Sequence, residues 1–224
     1  KSKDNPSADH DFIDHQESVL PKWKFRLFYL GMFERPAGAI YDCFDTELNV
    51  QRARWTGEDG MHYRFEPGDN WPLALGMDFG ANNTAAVVLR GEMGLVKGKT
   101  PFDRDELKPT GRWMLMKSYL EGGLTVTEHT QKIKKDLFGV NQHGHRRQPS
   151  YAAGGNHAES QIRDGFAMAG LPLMAPTVTD VEAQIQIVYQ AIKQGKLIVH
   201  EDCQEVIDQI LNYSRELDEN GEPT

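Results

Sequence analysis

An aspartate stands where a short apolar segment meets a turn. Asp78 follows the apolar residues 73–77 and precedes the Gly- and Asn-rich residues 80–83. A carboxylate at the end of a buried strand has an anchored backbone and can face a ligand, which suits a divalent metal ion. The alternative is a turn aspartate that caps its own backbone, and this motif alone favours neither.

A second carboxylate is needed if the chemistry is phosphodiester cleavage, because two metal ions about 4 Å apart must be clamped between acids. Glu159 is the candidate. It follows an apolar segment at 151–153 and lies in the first turn of a predicted helix that opens at Gly154-Gly155-Asn156. The alternative is that Glu159 only complements the helix dipole.

Several basic or titratable side chains could contact a DNA phosphate. The candidates are Lys134, Lys135, Arg146, Arg147 and His157. Each also has a structural explanation: the lysines as an exposed helix face, the arginines as part of a solvated loop, and the histidine as a capping or buried residue.

The elements that must position these residues follow from hydrophobic periodicity. Apolar, β-branched segments predict a meander of three strands at residues 73–78, 84–90 and 112–120, with a loop at 91–111. Helical spacing predicts helices at 125–138, 157–169, 178–194 and 201–217. Short strands are expected between them at 151–153, 171–175 and 196–200. An antiparallel meander followed by alternating helices and strands is the α/β pattern of a ribonuclease H-like mixed sheet.

The N-terminal third differs in character. We expect residues 1–70 to be a polar tail and linker, of which 1–20 are polar and 20–45 are rich in aromatic residues. A short helix, a turn and an extended stretch at 39–41 are predicted there. The main domain is expected at 71–224.

Composition limits the class of protein. Hydrophobic residues make up 39% and charged residues 26% of 224 residues, as in an ordinary globular protein, and no apolar run is long enough to span a membrane. The 2 cysteines are not spaced as a metal pair, and a reducing cytoplasm fits best. The net charge of −8 argues against a sequence-reading DNA binder. It does not exclude a nuclease, since bound metal ions invert the charge that a phosphate meets.

Several short motifs follow one another along the chain. They include Trp-Pro-Leu-Ala-Leu-Gly-Met-Asp-Phe-Gly at 71–80, Gly-Gly-Asn-His-Ala-Glu at 154–159, Val-Glu-Ala-Gln-Ile at 181–185 and Gly-Lys-Leu-Ile-Val at 195–199. This order resembles the C-terminal nuclease domain of the large terminase subunit of tailed bacteriophages. Residues 30–41 also resemble the stretch that joins the packaging ATPase to that nuclease.

The resemblance implies a metal-dependent endonuclease that cuts double-stranded viral DNA during genome packaging in the host cytoplasm. It implies two Mg²⁺ or Mn²⁺ ions, with Asp78 as the first acid and Glu159 as the second. It also implies the terminase small subunit and the portal as partners, and no membrane. The family's third acid usually lies in a helix after the segment that ends here at Thr224, so we expect this chain to lack it, unless Glu216 or Asp218 substitutes.

Two other functions remain open. The segment 78–84 also resembles the first phosphate motif of actin- and sugar-kinase-like ATPases, but those proteins need a second lobe that this sequence does not show. The nearest phosphate loop, at 94–100, has three residues between its glycines where the motif needs four. The remaining possibility is a non-catalytic docking module of the packaging motor.

Overall fold

The computed structural model describes residues 9–19, 25, 29–30, 38–80, 82–97, 105–141 and 143–215. The chain divides into two units, one of residues Lys1–Phe44 with Asp208–Thr224 and one of residues Asp45–Ile207. In the described part, the helices are α1 (His10–Val19), α2 (Thr46–Asn49), α3 (Val126–Asp136), α4 (Ser160–Met168), α5 (Val181–Lys193) and α6 (Gln204–Asn212). The strands are β1 (Val50–Gln51), β2 (Arg54–Thr56), β3 (His62–Arg64), β4 (Leu73–Asp78), β5 (Asn83–Val96), β6 (Glu106–Gly122), β7 (Tyr151–Gly154) and β8 (Leu197–His200).

One mixed sheet of six strands dominates the larger unit, in the order β1-β8-β6-β5-β4-β7. Strands β4, β5 and β6 form the predicted antiparallel meander. Strand β7 lies parallel to β4, and β8 lies parallel to both β6 and β1. The predicted mixed α/β sheet is therefore present. Strands β2 and β3 form a separate two-stranded hairpin.

Alternation along β4 decides which face of the sheet is buried. Leu73, Leu75 and Met77 are buried, whereas the residues between them are partly exposed. The buried face packs on α3 and α4 through Ile133 and Phe166, which are 0% and 1% exposed. Apolar side chains at alternate strand positions thus make one core, and β4 lies inside it.

The structure corrects several predicted boundaries. The predicted loop at 91–111 is mostly strand, because β5 and β6 stay paired as far as Val96 opposite Glu106. The predicted strand at 171–175 is reduced to one parallel bridge between Ala153 and Met174. Residues 46–51, expected to be linker, form α2 and the edge strand β1.

The smaller unit also departs from expectation. Residues 10–19, expected to be a polar tail, form α1 and bury Ile13. Ala39, in the predicted extended stretch, makes a bridge with Ser214. Most of the aromatic segment at 20–37, and both Glu216 and Asp218, lie outside the described residues.

Among the helices that the structure describes, none combines the length and apolarity needed to cross a membrane.

Candidate functional site

The parallel pairing of β4 with β7 brings two strand ends together. Met77 is the register partner of Gly154, and the Gly155 N–H donates to the Met77 carbonyl at 3.1 Å. Asp78 and Glu159, which follow these two strands, line one open cleft of about 570 Å³. The two predicted acids, 81 positions apart in the numbering, therefore border the same space.

The backbone beside Asp78 is anchored although the carboxylate is exposed. Phe79 is 6% exposed, and its ring stacks on Phe166 of α4 with 5.2 Å between centroids. Within the described part of the chain, the Asp78 carboxylate has no hydrogen bond or ion pair. An exposed, unsatisfied acid on a fixed backbone is arranged for a ligand rather than for a structural bond.

A local cap holds Glu159. It ends a 3-10 turn, His157–Glu159, in which Glu159 Oε2 accepts from the Asn156 N–H at 2.7 Å and Asn156 Oδ1 accepts from the Ala158 N–H at 2.8 Å. This reciprocal arrangement is a capping box. It orients the carboxylate through one oxygen, and the Asn-x-x-Glu spacing that predicts it is visible in the sequence.

Gly155 is required by the close packing under the cleft. Its φ is 67°, a left-handed conformation. A Cβ at this position would lie 2.5 Å from the Phe79 ring and 2.7 Å from Glu159 Oε2. A side chain at Gly155 would thus displace the Phe79 ring, which lies next to Asp78, and the Glu159 carboxylate itself.

Arg163 is a contributor that the sequence analysis missed. This arginine of α4 is only 9% exposed, and its guanidinium donates to the carbonyls of Gly154 at 3.4 Å, of His157 at 3.3 Å, and of Asn156. It therefore ties down the whole segment between β7 and Glu159. Its spacing from Glu159 is that of a helical salt bridge, so the sequence pattern points to the wrong partner.

The basic candidates are not gathered at the cleft. Arg147 pairs with Asp69, and its neighbour Arg146 is exposed in the same loop. That loop leads into the amino end of β7, away from Asp78. Of the five candidates only His157, in the 3-10 turn with Glu159, belongs to a segment that lines the cleft, and its side chain is exposed.

The two lysines occupy the last turn of α3. Lys135 is exposed, and the Lys134 ammonium would lie 3.0 Å from a Cβ at Gly170. Gly170 borders a different cleft together with Ser150 and Tyr151 at the amino end of β7. The lysines are therefore also separated from Asp78 and Glu159.

A second buried arginine lies at the opposite end of β4. Arg90 is 4% exposed, and it donates to the Trp71 carbonyl at 3.0 Å and the Gly68 carbonyl at 2.7 Å. Burial lowers the pKa of Arg90 to about 10. The guanidinium remains charged at neutral pH and closes the loop that enters β4.

A polar pair lies between β6 and α3, in which His129 is buried and Tyr119 is partly buried. Tyr119 Oη and His129 Nδ1 are 2.7 Å apart. Burial raises the pKa of Tyr119 to about 12 and lowers the pKa of His129 below its ordinary value. Neither residue lines the Asp78 cleft, so we assign the pair to packing.

The donor set of the cleft suits a hard cation, because Mg²⁺ and Mn²⁺ prefer carboxylate oxygens. Among the described residues, no group of three or more His, Cys, Asp or Glu could hold a metal ion. Asp78 and Glu159 thus fit as two ligands, and Mg²⁺ is commonly bound by one or two carboxylates together with substrate phosphates.

Comparisons with known proteins identify the relatives. No protein-family model matches the chain. The large terminase subunit of Escherichia phage T5 is 24% identical over 220 residues, which are 98% of this chain and 44% of that protein. The chain thus spans less than half the length of this relative.

Solved structures share the fold. The large terminase of a thermophilic bacteriophage matches 99% of this chain and 48% of its own, with a TM-score of 0.56 and 19% identity. The large terminase nuclease of the thermophilic phage G20c with bound magnesium matches 84% of this chain and 87% of its own, with a TM-score of 0.52 and 12% identity. The chain is therefore similar to large terminases over nearly its whole length, and it has the ribonuclease H-like fold of their nuclease domains.

Proposed function

We propose, from the fold shared with large-terminase nuclease domains, that this chain is the nuclease part of a phage packaging motor and cuts double-stranded DNA with divalent metal ions. The observation that carries the proposal is the convergence of Asp78 and Glu159 on one cleft. Double-stranded viral DNA is then the substrate, and the host cytoplasm is the place of action. The terminase small subunit and the portal are the proposed partners.

Asp78 and Glu159 are the proposed metal ligands. Asp78 supplies an exposed carboxylate with no hydrogen bond in the described part of the chain, so both of its oxygens would be free to hold metal ions. Glu159 keeps one oxygen on the Asn156 N–H and can offer the other. A pair of Mg²⁺ or Mn²⁺ ions in such a site supplies activation of a water and neutralisation of charge on the departing 3′ oxygen.

Residues in and beneath the cleft orient the two acids. Arg163 holds the backbone of 154–157, and Asn156 fixes the Glu159 carboxylate. The Phe79–Phe166 stack keeps the end of β4 in place. These contacts favour a preformed site, in which ordering the ligands costs little when metal and DNA bind.

Two measurements test the proposal. Mn²⁺ titrated calorimetrically into the wild-type chain should bind, and Asp78→Asn or Glu159→Gln should abolish that heat. Nicking of supercoiled plasmid in the presence of Mg²⁺ or Mn²⁺ should disappear in the same two variants. Asp164→Asn is the matched control, because Asp164 is an exposed acid on α4 and does not line the cleft. Plasmid cleavage that survives Asp78→Asn would contradict the metal assignment.

A non-catalytic docking module is the second candidate, and one observation favours it. Among the described residues, two carboxylates line the cleft, and no third carboxylate, histidine or cysteine joins them. If the wild-type chain binds no Mn²⁺ and does not cleave plasmid, while thermal unfolding shows that it is folded, the docking function is supported instead.

A further inference from the structure

The hairpin of β2 and β3 has two chemically different faces. Arg54 lies opposite Arg64, Trp55 opposite Tyr63 and Thr56 opposite His62. Directly opposed residues share a face, and successive residues alternate between faces. One face therefore carries two arginines, a threonine and a histidine, and the other carries an aromatic pair. All of the residues in both strands are exposed.

The aromatic face stabilises the hairpin. The Trp55 and Tyr63 rings stack with 5.7 Å between centroids at an interplanar angle of 17°. The Tyr63 hydroxyl donates to Asp59 Oδ2 at 2.6 Å, and the Met61 N–H donates to Asp59 Oδ1 at 3.0 Å. An isolated two-stranded hairpin is marginally stable, so these contacts account for its order. The two arginines thus lie on a hairpin that has stabilising contacts of its own.

The arginine face lacks the anions it would need for its own stability. Like charges directly opposite each other destabilise a ribbon. Within the described part of the chain, Arg54 and Arg64 have no ion pair, although the whole protein carries a net charge of −8. A guanidinium matches a phosphate through paired N–H donors, so a phosphate backbone would relieve this repulsion.

The hairpin lies next in the chain to the edge strand of the sheet whose strand β4 carries Asp78. Strands β1, β8, β6 and β4 run in one direction, and the hairpin follows directly after β1. Between β1 and β4 there are four strand spacings, or about 19 Å at about 4.8 Å each. Along DNA this distance corresponds to about six base pairs at about 3.4 Å each. A duplex bound at the cleft is therefore long enough to reach the edge of the sheet after which the hairpin begins.

We propose that the arginine face of this hairpin, formed by Arg54, Arg64, Thr56 and His62, binds the phosphate backbone of duplex DNA. A two-stranded ribbon also fits the major groove of B-DNA, which is about 12 Å wide. The choice of DNA as the partner rests on the proposed function. Arg64 also lines a neighbouring cleft together with Glu66, Asp136 and Asp202. That cleft is not part of the proposed DNA-binding surface, because its carboxylates would repel phosphates.

The test is DNA binding without divalent ions, so that cleavage plays no part. A fluorescent 30-base-pair duplex is titrated with the wild-type chain and with the double variant Arg54→Gln/Arg64→Gln at several salt concentrations in EDTA. Each lost phosphate contact should lower the slope of log K against log salt by about 1. The matched control is Lys108→Gln/Arg112→Gln, which removes the same charge from exposed cations that are ion-paired on β6.

Three results would overturn the proposal. They are an equal salt slope in the hairpin and control variants, a wild-type chain that does not bind the duplex, and poly-glutamate binding as tight as DNA binding, which would indicate an acidic protein partner. Near-ultraviolet circular dichroism of Trp55 checks that the hairpin is intact in the variants. Hairpin-dependent DNA binding by a chain that never cleaves DNA would contradict the proposed nuclease and still support the hairpin surface.

Discussion

One buried arginine lies near each end of β4, and both arginines bind backbone carbonyls. Arg163 binds backbone carbonyls beside the carboxyl end, and Arg90 binds backbone carbonyls before the amino end. At the carboxyl end the neighbouring acid, Asp78, is exposed and has no partner in the described residues. At the amino end the neighbouring acid, Asp69, is paired with Arg147.

A buried arginine therefore does not by itself identify a functional site. Both guanidiniums order a loop, but only the loop held by Arg163 carries a carboxylate, that of Glu159, into the open cleft that Asp78 also lines. A satisfied acid beside a buried arginine stabilises the fold, whereas an acid left without a bond beside one is available for a ligand. Substitutions near the two ends of β4 should therefore have different effects on stability and on metal binding.

Gly155 should give the largest effect. Gly155→Ala would force an L-residue into a left-handed conformation, at a cost of about 1–2 kcal/mol, and would add contacts with Phe79 and Glu159. Gly144→Ala, in the loop of Arg146 and Arg147, carries the same conformational cost at a φ of 76° but meets nothing within 4 Å. Thermal unfolding should show a greater loss for Gly155→Ala, and Mn²⁺ calorimetry should show weaker binding for that variant alone. Equal losses of stability would contradict the packing argument.

Substitutions of Arg163 and Arg90 should have similar effects on stability and different effects on metal affinity. Arg163→Met and Arg90→Met should each cost about 1.5–3 kcal/mol of unfolding free energy, since each removes hydrogen bonds from a charged donor. Arg163→Met should in addition weaken Mn²⁺ binding by about 10- to 100-fold, as loss of an outer-shell contact does. Arg90→Met should leave Mn²⁺ affinity unchanged. Urea unfolding and calorimetry measure the two quantities, and equal Mn²⁺ affinities in both variants would remove Arg163 from the site.

Arg147 should matter less. It is partly buried against Asp69, so Arg147→Gln should cost no more than about 1 kcal/mol of stability. Because its charge is already paired, its substitution should change the salt dependence of DNA binding less than Arg146→Gln does. A larger change for Arg147→Gln would show that the Asp69 pair opens to contact DNA.

The smallest expected effect is on the pH dependence of stability. The pKa of His129 is lowered in the folded state by burial, so between that value and about 6.5 the unfolded chain binds the proton and the folded chain does not. Stability should therefore fall as pH drops below about 6.5. The midpoint of thermal unfolding between pH 7 and 5 should depend on pH less steeply in His129→Gln than in the wild-type chain. An unchanged pH dependence would contradict this source of the effect.

Much of the fold could be predicted because it depends on patterns among residues that are close in the sequence. The alternation in β4, the helical spacing of α5 and the Gly195 that follows it are visible in the sequence. The error at 91–111 has a physical cause. Glycine, proline and charged residues favour a loop locally, but pairing with the opposite strand supplies the hydrogen bonds that keep them extended.

The sequence by itself determined that Asp78 ends an apolar strand and that Glu159 begins a helical segment, since both depend on neighbours in the chain. Only the tertiary structure decided that these two places meet, because the pairing of β4 with β7 joins residues far apart in sequence. The same is true of Arg147, whose partner Asp69 lies 78 positions away. Local patterns identify groups that can carry chemistry, and long-range pairing decides which of them share a cleft and which are already satisfied.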